Sequence, residues 1–332
     1  MRGALAAMNE TKTPELPTQP IETEHPTPFL ATRPSSLATV FMMQDQLQRF
    51  LFENADIRGD LVHLDATWQA VLEKHDYAPP VRELLGQAMV AALLLSATLR
   101  KQGRLTIQIQ GEGPVSFLVV ECTAERTLRG LAHADEDVTT TDLRELVGKG
   151  RLAITLEPDA EGERYQSIVE LTGATLAEAI ENYLERSEQL DTRLWLAVDQ
   201  ARAAGLLVQR LPESGRAGDD DAWNRICHLS GTITGRELLD LPARNIIHRL
   251  YHEEDVRVFE PEPVCFRCGC SRERVANMLR TLGHAEVRSI LADEGSVRVT
   301  CEFCNHKYEF DAVDSEQLFA ADYLRAAPPT RQ

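Results

Sequence analysis

A chain of 332 residues is long enough for one large domain with one or two smaller ones beside it. A net charge of −17 argues against a general nucleic-acid binder and against a membrane-surface protein, because both of those partners are anionic. Seven unevenly spread cysteines argue against a secreted disulfide framework.

The N-terminus carries only a short apolar run, Ala4 to Ala7, too little for a signal-peptide core. Residues 1–37 interleave prolines with threonines and glutamates and have little apolar surface to offset ordering entropy, so they are expected to be a disordered tail. The first folded region should begin near Val40. Alternation over residues 57–64 predicts a strand. Pro79 and Pro80 then open a long helix over about 81–100. Its most apolar stretch, residues 88–99, is too short to cross a bilayer and is expected to be buried. The expected compartment is the cytoplasm, where thiols stay reduced.

Residues 105–110 form a period-two strand, and residues 115–121 return as a second one. The glycines between them, Gly111 and Gly113, are followed by Pro114 and a strand. A phosphate-cradling loop would instead open a helix, so this is a hairpin turn. Further strands are expected at 152–156 and 165–171. Thr175 and Glu178 fit a capping box, ahead of a helix whose apolar face carries Leu176, Ala179, Ile180, Tyr183 and Leu184. Two more strands follow at 193–198 and 205–210. Many strands with few helices between them predict an α+β fold with a mostly antiparallel sheet, covering residues 38–212.

Composition changes after Pro212. Residues 213–221 are glycine-rich and acidic, a linker signal. Beyond them, Trp223, Ile226 and Cys227 share one helical face, and Ile246, Ile247, Leu250 and Tyr251 share another. Each segment is too short to hold a helix alone, so residues 213–262 are expected to be a helical linker that is ordered only by its neighbours. His248 and His252 stand four apart, but no glutamate directly follows the first, so they are taken as a solvated face.

Five cysteines crowd the last quarter of the chain. Cys265-Phe-Arg-Cys268-Gly-Cys270 is answered, thirty residues later, by Cys301-Glu-Phe-Cys304. Paired clusters at this spacing point to Zn²⁺ held by two short knuckles. Helices near 274–279 and 287–291 and strands near 296–300 and 307–310 surround them. A unit of this size, residues 263–312, has few aliphatics and needs a metal staple to fold. Residues 313–332 are expected to be a C-terminal tail. Four thiolates leave no open position for a substrate, so no catalytic residue is expected and the chain is not read as an enzyme. The residues alone leave open whether the zinc is permanent structure or an oxidation switch. They also leave Cys265/Cys268 open as an alternative knuckle to Cys268/Cys270.

The stretch Cys268-Gly-Cys270-Ser-Arg-Glu-Arg274, the gap of thirty, and Cys301-Glu-Phe-Cys304 with Tyr308 and Phe310 behind it resemble the zinc domain of the redox-regulated heat-shock holdases, the bacterial thirty-three-kilodalton heat shock protein family. Upstream, residues 183–190, 205–212 and 252–259 are similar to the same family, and the likeness covers about 40–315. The resemblance implies a mechanism. Cys268, Cys270, Cys301 and Cys304 would hold one Zn²⁺ in a reduced, inactive protein. Oxidation would form Cys268–Cys270 and Cys301–Cys304 disulfides and release the metal. The zinc domain and then the metastable linker would unfold, and the protein would dimerise and bind unfolding client proteins without ATP. Cys265 is an extra thiol beside that set and a possible alternative ligand. Cys122 and Cys227 are expected to be core thiols.

Two other function classes fit some of these residues. A zinc-ribbon nucleic-acid binder is disfavoured because residues 261–312 carry seven positive and eight negative side chains. A thiol–disulfide oxidoreductase using Cys301 and Cys304 would place that pair between a strand and a helix of a thioredoxin-like domain, whereas here two pairs face each other. Neither nucleic acid nor membrane is an expected partner.

Overall fold

The computed structural model describes residues 45–97, 103–157, 164–212, 219 and 221–326. The tail expected over 1–37 lies outside them, as does most of the acidic stretch after Pro212. The chain opens with the antiparallel pair β1 (Gln46–Phe52) and β2 (Ile57–Leu64), then the short helix α1 (Ala66–Leu72) and the long helix α2 (Pro79–Ser96). Pro79 and Pro80 stand at the first turn of α2, where a missing N–H costs nothing. Nearly every later residue of α2 is buried, which explains its continuous rather than striped apolar sequence.

Strands β3 (Arg104–Gln110), β4 (Val115–Thr123) and β5 (Thr127–Ala134) form a meander. The β3–β4 turn is the expected hairpin. A Cβ on Gly111 would lie 2.3 Å from the Val147 carbonyl, so only glycine fits there. Helix α3 (Leu143–Val147) leads to β6 (Arg151–Glu157) and β7 (Tyr165–Glu170). Helix α4 (Leu176–Glu188) is capped by Thr175, whose side chain accepts from the Glu178 amide, as the sequence predicts. Strands β8 (Thr192–Val198) and β9 (Ala203–Arg210) follow. The next three helices are α5 (Ala222–Ser230), α6 (Gly235–Asp240) and α7 (Ala243–Tyr251). Three very short strands come next: β10 (Val256–Val258), β11 (Glu262–Pro263) and β12 (Cys265–Phe266). The chain then forms α8 (Arg272–Leu282), α9 (His284–Glu294), β13 (Val297–Thr300), β14 (Lys307–Phe310) and α10 (Ala312–Ala326).

The strands form two six-stranded sheets and one hairpin. The first sheet runs β10-β1-β2-β9-β8, with β11 also on β1; the second runs β12-β5-β4-β3-β6-β7. Every pairing is antiparallel except β12 on β5. The fold is therefore α+β with mostly antiparallel sheets. The main core lies around α2, with side chains from both sheets and α4. The opposite face of the first sheet presents Phe50, Phe52, Ile57, Leu61, Leu206 and Val208, and helices α5–α7 cover it with Ile226, Leu238, Ile246, Ile247, Leu250 and Tyr251. Gly59 pairs with Phe50, and a Cβ there would fall inside the Phe50 ring, so glycine makes room for the aromatic that these helices rest on.

Several elements were not expected from sequence. Strands β1 and β5, the edge strands β10–β12 and helices α1, α3 and α6 are all additions. The segment 313–332, expected to be a tail, begins instead inside helix α10, which buries Leu318 and Phe319 against α8, α9 and β14. An amphipathic helix beside a small core gains stability by covering it, and that outweighs the weak local signal.

Candidate metal centre

Both knuckles are held by backbone geometry. Cys268 and Cys270 lie in the loop between β12 and α8, just before Ser271, whose hydroxyl caps α8 by accepting from the Arg274 amide at 3.2 Å. Arg274 folds back and donates to the Gly269 carbonyl at 2.6 Å, fixing the loop between the two thiols. Cys301 and Cys304 lie in the β13–β14 turn. The Cys301 amide donates to the His306 carbonyl (2.9 Å), and the Cys304 and Asn305 amides donate back to the Cys301 carbonyl (3.3 and 2.7 Å). Asn305 takes the left-handed conformation that closes this turn (φ 55°).

The turns bring four sulfurs together. Cys268 and Cys301 are 3.6 Å apart, Cys270 and Cys304 are 3.4 Å apart, and all four lie within 4.8 Å of one another. A tetrahedral site with bonds of about 2.3 Å has sulfur–sulfur edges of about 3.8 Å. The four cysteines fit such a site, and an all-thiolate set suits Zn²⁺. Cys265, three residues before Cys268, is exposed in β12 and does not join the group. Cys122 is buried in β4 and Cys227 is half-buried on α5, both away from it. His248 and His252 are exposed on and just after α7.

Two further side chains point at the sulfurs. Tyr308 donates its hydroxyl to Cys270 Sγ at 3.2 Å, and Arg129 Nη1 donates to Cys268 Sγ at 3.7 Å. Donors around thiolates hold their direction and favour the charged form. Burial pushes the Cys268 thiol up, but hydrogen bonds from Cys270 and the neighbouring thiols outweigh it and bring the group down to about 7. Burial pushes Cys304 up to about 12, and its thiol neighbours add to the rise. Burial also raises Cys301. The hydrogen bond to Cys270 holds the Tyr308 phenol up at about 12, so it stays a donor.

Arg129 belongs to β5 in the second sheet, yet it touches both knuckles. Besides Cys268, its guanidinium lies 4.1 Å from the Phe303 ring centroid, inside the second knuckle. Glu121 on β4 anchors it through Oε2 at 2.7 Å. The second knuckle is tied down further where His75 Nε2 donates to the Glu302 carbonyl at 2.5 Å and Asn305 Nδ2 donates to the Lys74 carbonyl. Sequence reasoning missed Arg129, His75 and Lys74. Their role depends on long-range docking that no local spacing reveals.

A folded core joined to a half-buried four-thiol module defines a protein whose smallest unit carries a site able to hold a metal ion. The family model described as Hsp33 protein matches residues 45–311, and the chain belongs to the Hsp33 family. It is 51% identical over 288 residues to the 33 kDa chaperonin of Nitrosococcus oceani, covering 87% of this chain and 99% of that one. It is 48% identical over 283 residues to the 33 kDa chaperonin of Methylobacillus flagellatus, covering 85% and 97%. The crystal structure of the 33 kDa chaperonin from Thermotoga maritima shares the fold, with a TM-score of 0.73, 22% identity, and coverage of 84% of this chain and 99% of that one. Among the described residues, no helix is long and apolar enough to cross a membrane.

Proposed function

We propose that the chain is an ATP-independent holdase chaperone switched on by thiol oxidation. Cys268, Cys270, Cys301 and Cys304 hold one Zn²⁺ in the reduced, inactive protein, and Cys265 stays outside the set. When bound, the metal supplies a four-way crosslink between the two knuckles. The observation that carries this reading is the convergence of four thiols in a unit that, among the described side chains, buries eight apolar ones of its own.

Oxidation then acts on the cysteines. Cys268 and Cys270 form one disulfide and Cys301 and Cys304 the other. Each bond takes two electrons from a pair of thiolates, and these, with two protons from the solvent, reduce one hydrogen peroxide to two water molecules. Sulfur contacts of 3.6 and 3.4 Å run across the knuckles, whereas the disulfides implied by the family run within each one. Peptide mapping of the oxidised chain distinguishes the two pairings. Either pairing consumes all four ligands, so the residues around the site lose their crosslink. We assign residues 38–212 to a client-binding core, 213–262 to a metastable linker, and 263–312, extended by α10, to the redox unit. Loss of the redox unit frees α5–α7, and the apolar face they share with the first sheet becomes available to unfolding chains. The oxidised form is a homodimer, and the cytoplasm supplies both the reducing ground state and the clients. A strongly acidic surface keeps the complexes soluble.

The test is light scattering from a thermally unfolding client. Chain pretreated with peroxide at mild heat should suppress scattering, the zinc-loaded reduced chain should not, and reductant should reverse the effect. Equal suppression by both forms would remove the switch, and suppression by neither would remove the holdase.

A further inference from the structure

Residues 255–267 run as one extended strap from the linker helices to the first knuckle, and the strap closes an edge of each large sheet. It first lies antiparallel on β1, pairing Val256–Val258 with Phe52–Phe50 and Glu262–Pro263 with Leu47–Gln46. It then crosses to the second sheet and lies parallel on β5, Cys265 against Thr127 and Phe266 against Leu128. On β5 it is held like a short peptide ligand. The Cys265 amide donates to the Arg126 carbonyl and the Arg267 amide to the Leu128 carbonyl, both at 3.2 Å. Side chains alternate. Val264 is buried in the main core and Phe266 packs against it, while Cys265 faces solvent. Helix α1 lies against β12 and forms the other wall of the groove. One acidic side chain pins the crossing: Glu262 pairs with Arg49 of β1 and with Arg126 of the β4–β5 turn, each at 2.7 Å.

We infer that the β5 edge, with α1 as its wall, is a strand-addition site for unfolded polypeptide, and that the strap is its built-in occupant. The inference rests on the holdase reading and names the surface through which that holdase takes hold of clients. An edge with free N–H and C=O groups, flanked by places for alternate apolar side chains, binds any extended segment of the form apolar-x-apolar. Affinity comes from the main chain, which every client carries, so recognition is broad. Unfolded chains expose such segments and folded proteins do not. Only Arg267 separates Phe266 from Cys268 of the first knuckle, so loss of the metal-held knuckle removes the anchor on one side, and release of α7 removes it on the other. In the resting protein the strap covers the Thr127–Leu128 stretch of this edge and blunts it as a template for pairing. The Arg49–Glu262–Arg126 pin keeps the strap seated until both anchors go.

The experiment uses the full chain and a fluorescent synthetic peptide spanning residues 260–268, with both cysteines replaced by serine. Anisotropy should show binding to the oxidised chain at least about tenfold tighter than to the reduced zinc-loaded chain, because in the latter the edge is filled. N-methylation of the amides at positions 265 and 267, which donate to β5, should abolish binding, and N-methylation at 266 should leave it. An unfolding client should displace the peptide, and Glu262→Gln should raise peptide binding to the reduced chain. Absence of binding, equal damage from methylation at 266, or failure of the client to displace the peptide would each overturn the strand-addition site. Client light scattering in the same samples without peptide reads the holdase separately. Oxidised chain that suppresses scattering but does not bind the peptide keeps the holdase and loses this surface. Oxidised chain that binds the peptide but suppresses nothing keeps an edge that accepts strands and loses its role in client binding.

Discussion

Two regions beyond the main core hold together by opposite means. Helices α5–α7 bury nine apolar side chains, from Ala222 to Tyr251, and press them against the first sheet rather than against a centre of their own. Among the described side chains, the thiol unit buries eight apolar ones, from Ala276 to Phe319, almost entirely within itself, and adds a four-sulfur cluster. The first region has good apolar contact but no independence. On the proposed function, the second has independence only while a metal crosslinks its four sulfurs. The strap joins them, so losing the small self-contained core loosens the larger borrowed one. The proposed switch would need no movement at the start, only the loss of four ligands.

The largest expected effect comes from removing that crosslink. Structural zinc in small domains is worth on the order of 10–16 kcal/mol, and that energy is also folding energy. A strong chelator under reducing conditions, or Cys301→Ser, should unfold residues 268–310 while α2 and both large sheets stay folded. Hydrogen exchange reads this directly: amides of α8, α9, β13 and β14 should lose protection and those of α2 should keep it. Uniform loss throughout the chain would show that the two regions fold as one.

Next comes a change on the borrowed side. Tyr251 is buried, packs edge-on against Phe52 at 5.0 Å and tilted against Phe50 at 5.7 Å, and shares a hydrogen bond with Ser230 at 2.7 Å. Tyr251→Ala should cost about 3–5 kcal/mol, and all of it should fall on α5–α7. Limited proteolysis should cut near residues 219–255 in the reduced chain with zinc still bound. Resistance equal to the parent would mean that the linker helices do not depend on this aromatic cluster.

His63 and Asp60, both on β2, are each expected to carry a pH effect on the order of 3 kcal/mol, with opposite signs. His63 of β2 donates to the Leu238 carbonyl of α6 at 2.9 Å, and burial lowers it from 6.5 to about 4. The unfolded chain takes up this proton below about 6.5 and the folded chain does not, so His63 withdraws stability as pH falls from 6.5 to 4. Asp60, on the same strand, opposes it. Burial raises Asp60 from 3.8 to about 6 against the pull of Arg58 and Arg49, so the folded chain gains stability over that window. The two largely cancel in the parent. Urea denaturation between pH 6.5 and 4 should show His63→Gln growing more stable with acid and Asp60→Asn growing less stable. Parallel slopes in the two variants would contradict these directions.

The smallest effect sharpens how the thiol unit is docked. Arg129→Ala removes a hydrogen bond to Cys268, a cation–π contact with Phe303 and an ion pair with Glu121, together about 1–3 kcal/mol. Zinc content should stay at one per chain, and peroxide activation should become faster. An unchanged activation rate would show that the core does not restrain the knuckles through this side chain.

The parts of this design visible in the sequence are those with local signals. Pro79 and Pro80 ahead of an apolar run, the alternation of residues 105–110, Thr175 with Glu178, and the two cysteine pairs each carry their own physics within a few residues. Strand β5 was invisible because Gly130 and Arg129 interrupt its alternation, and its partners are β4 and the distant β12. Strands β10–β12 are two or three residues long and gain their hydrogen bonds from elements far away in sequence. The same applies to Arg129 and to the Glu262 pin, whose partners lie more than a hundred residues away. Chemistry written in spacing is legible; docking written in tertiary contact is not.

Zinc release and client protection followed together in one sample test the switch most directly. Peroxide is added to reduced, zinc-loaded chain at mild heat, with a chromogenic chelator reporting free zinc and light scattering reporting client aggregation. The expected result is one zinc released per chain, with protection rising on the same time course and both reversed by reductant and added zinc. Protection that develops while zinc stays bound, or complete zinc release that gives no protection, would contradict a switch built on the four thiolates.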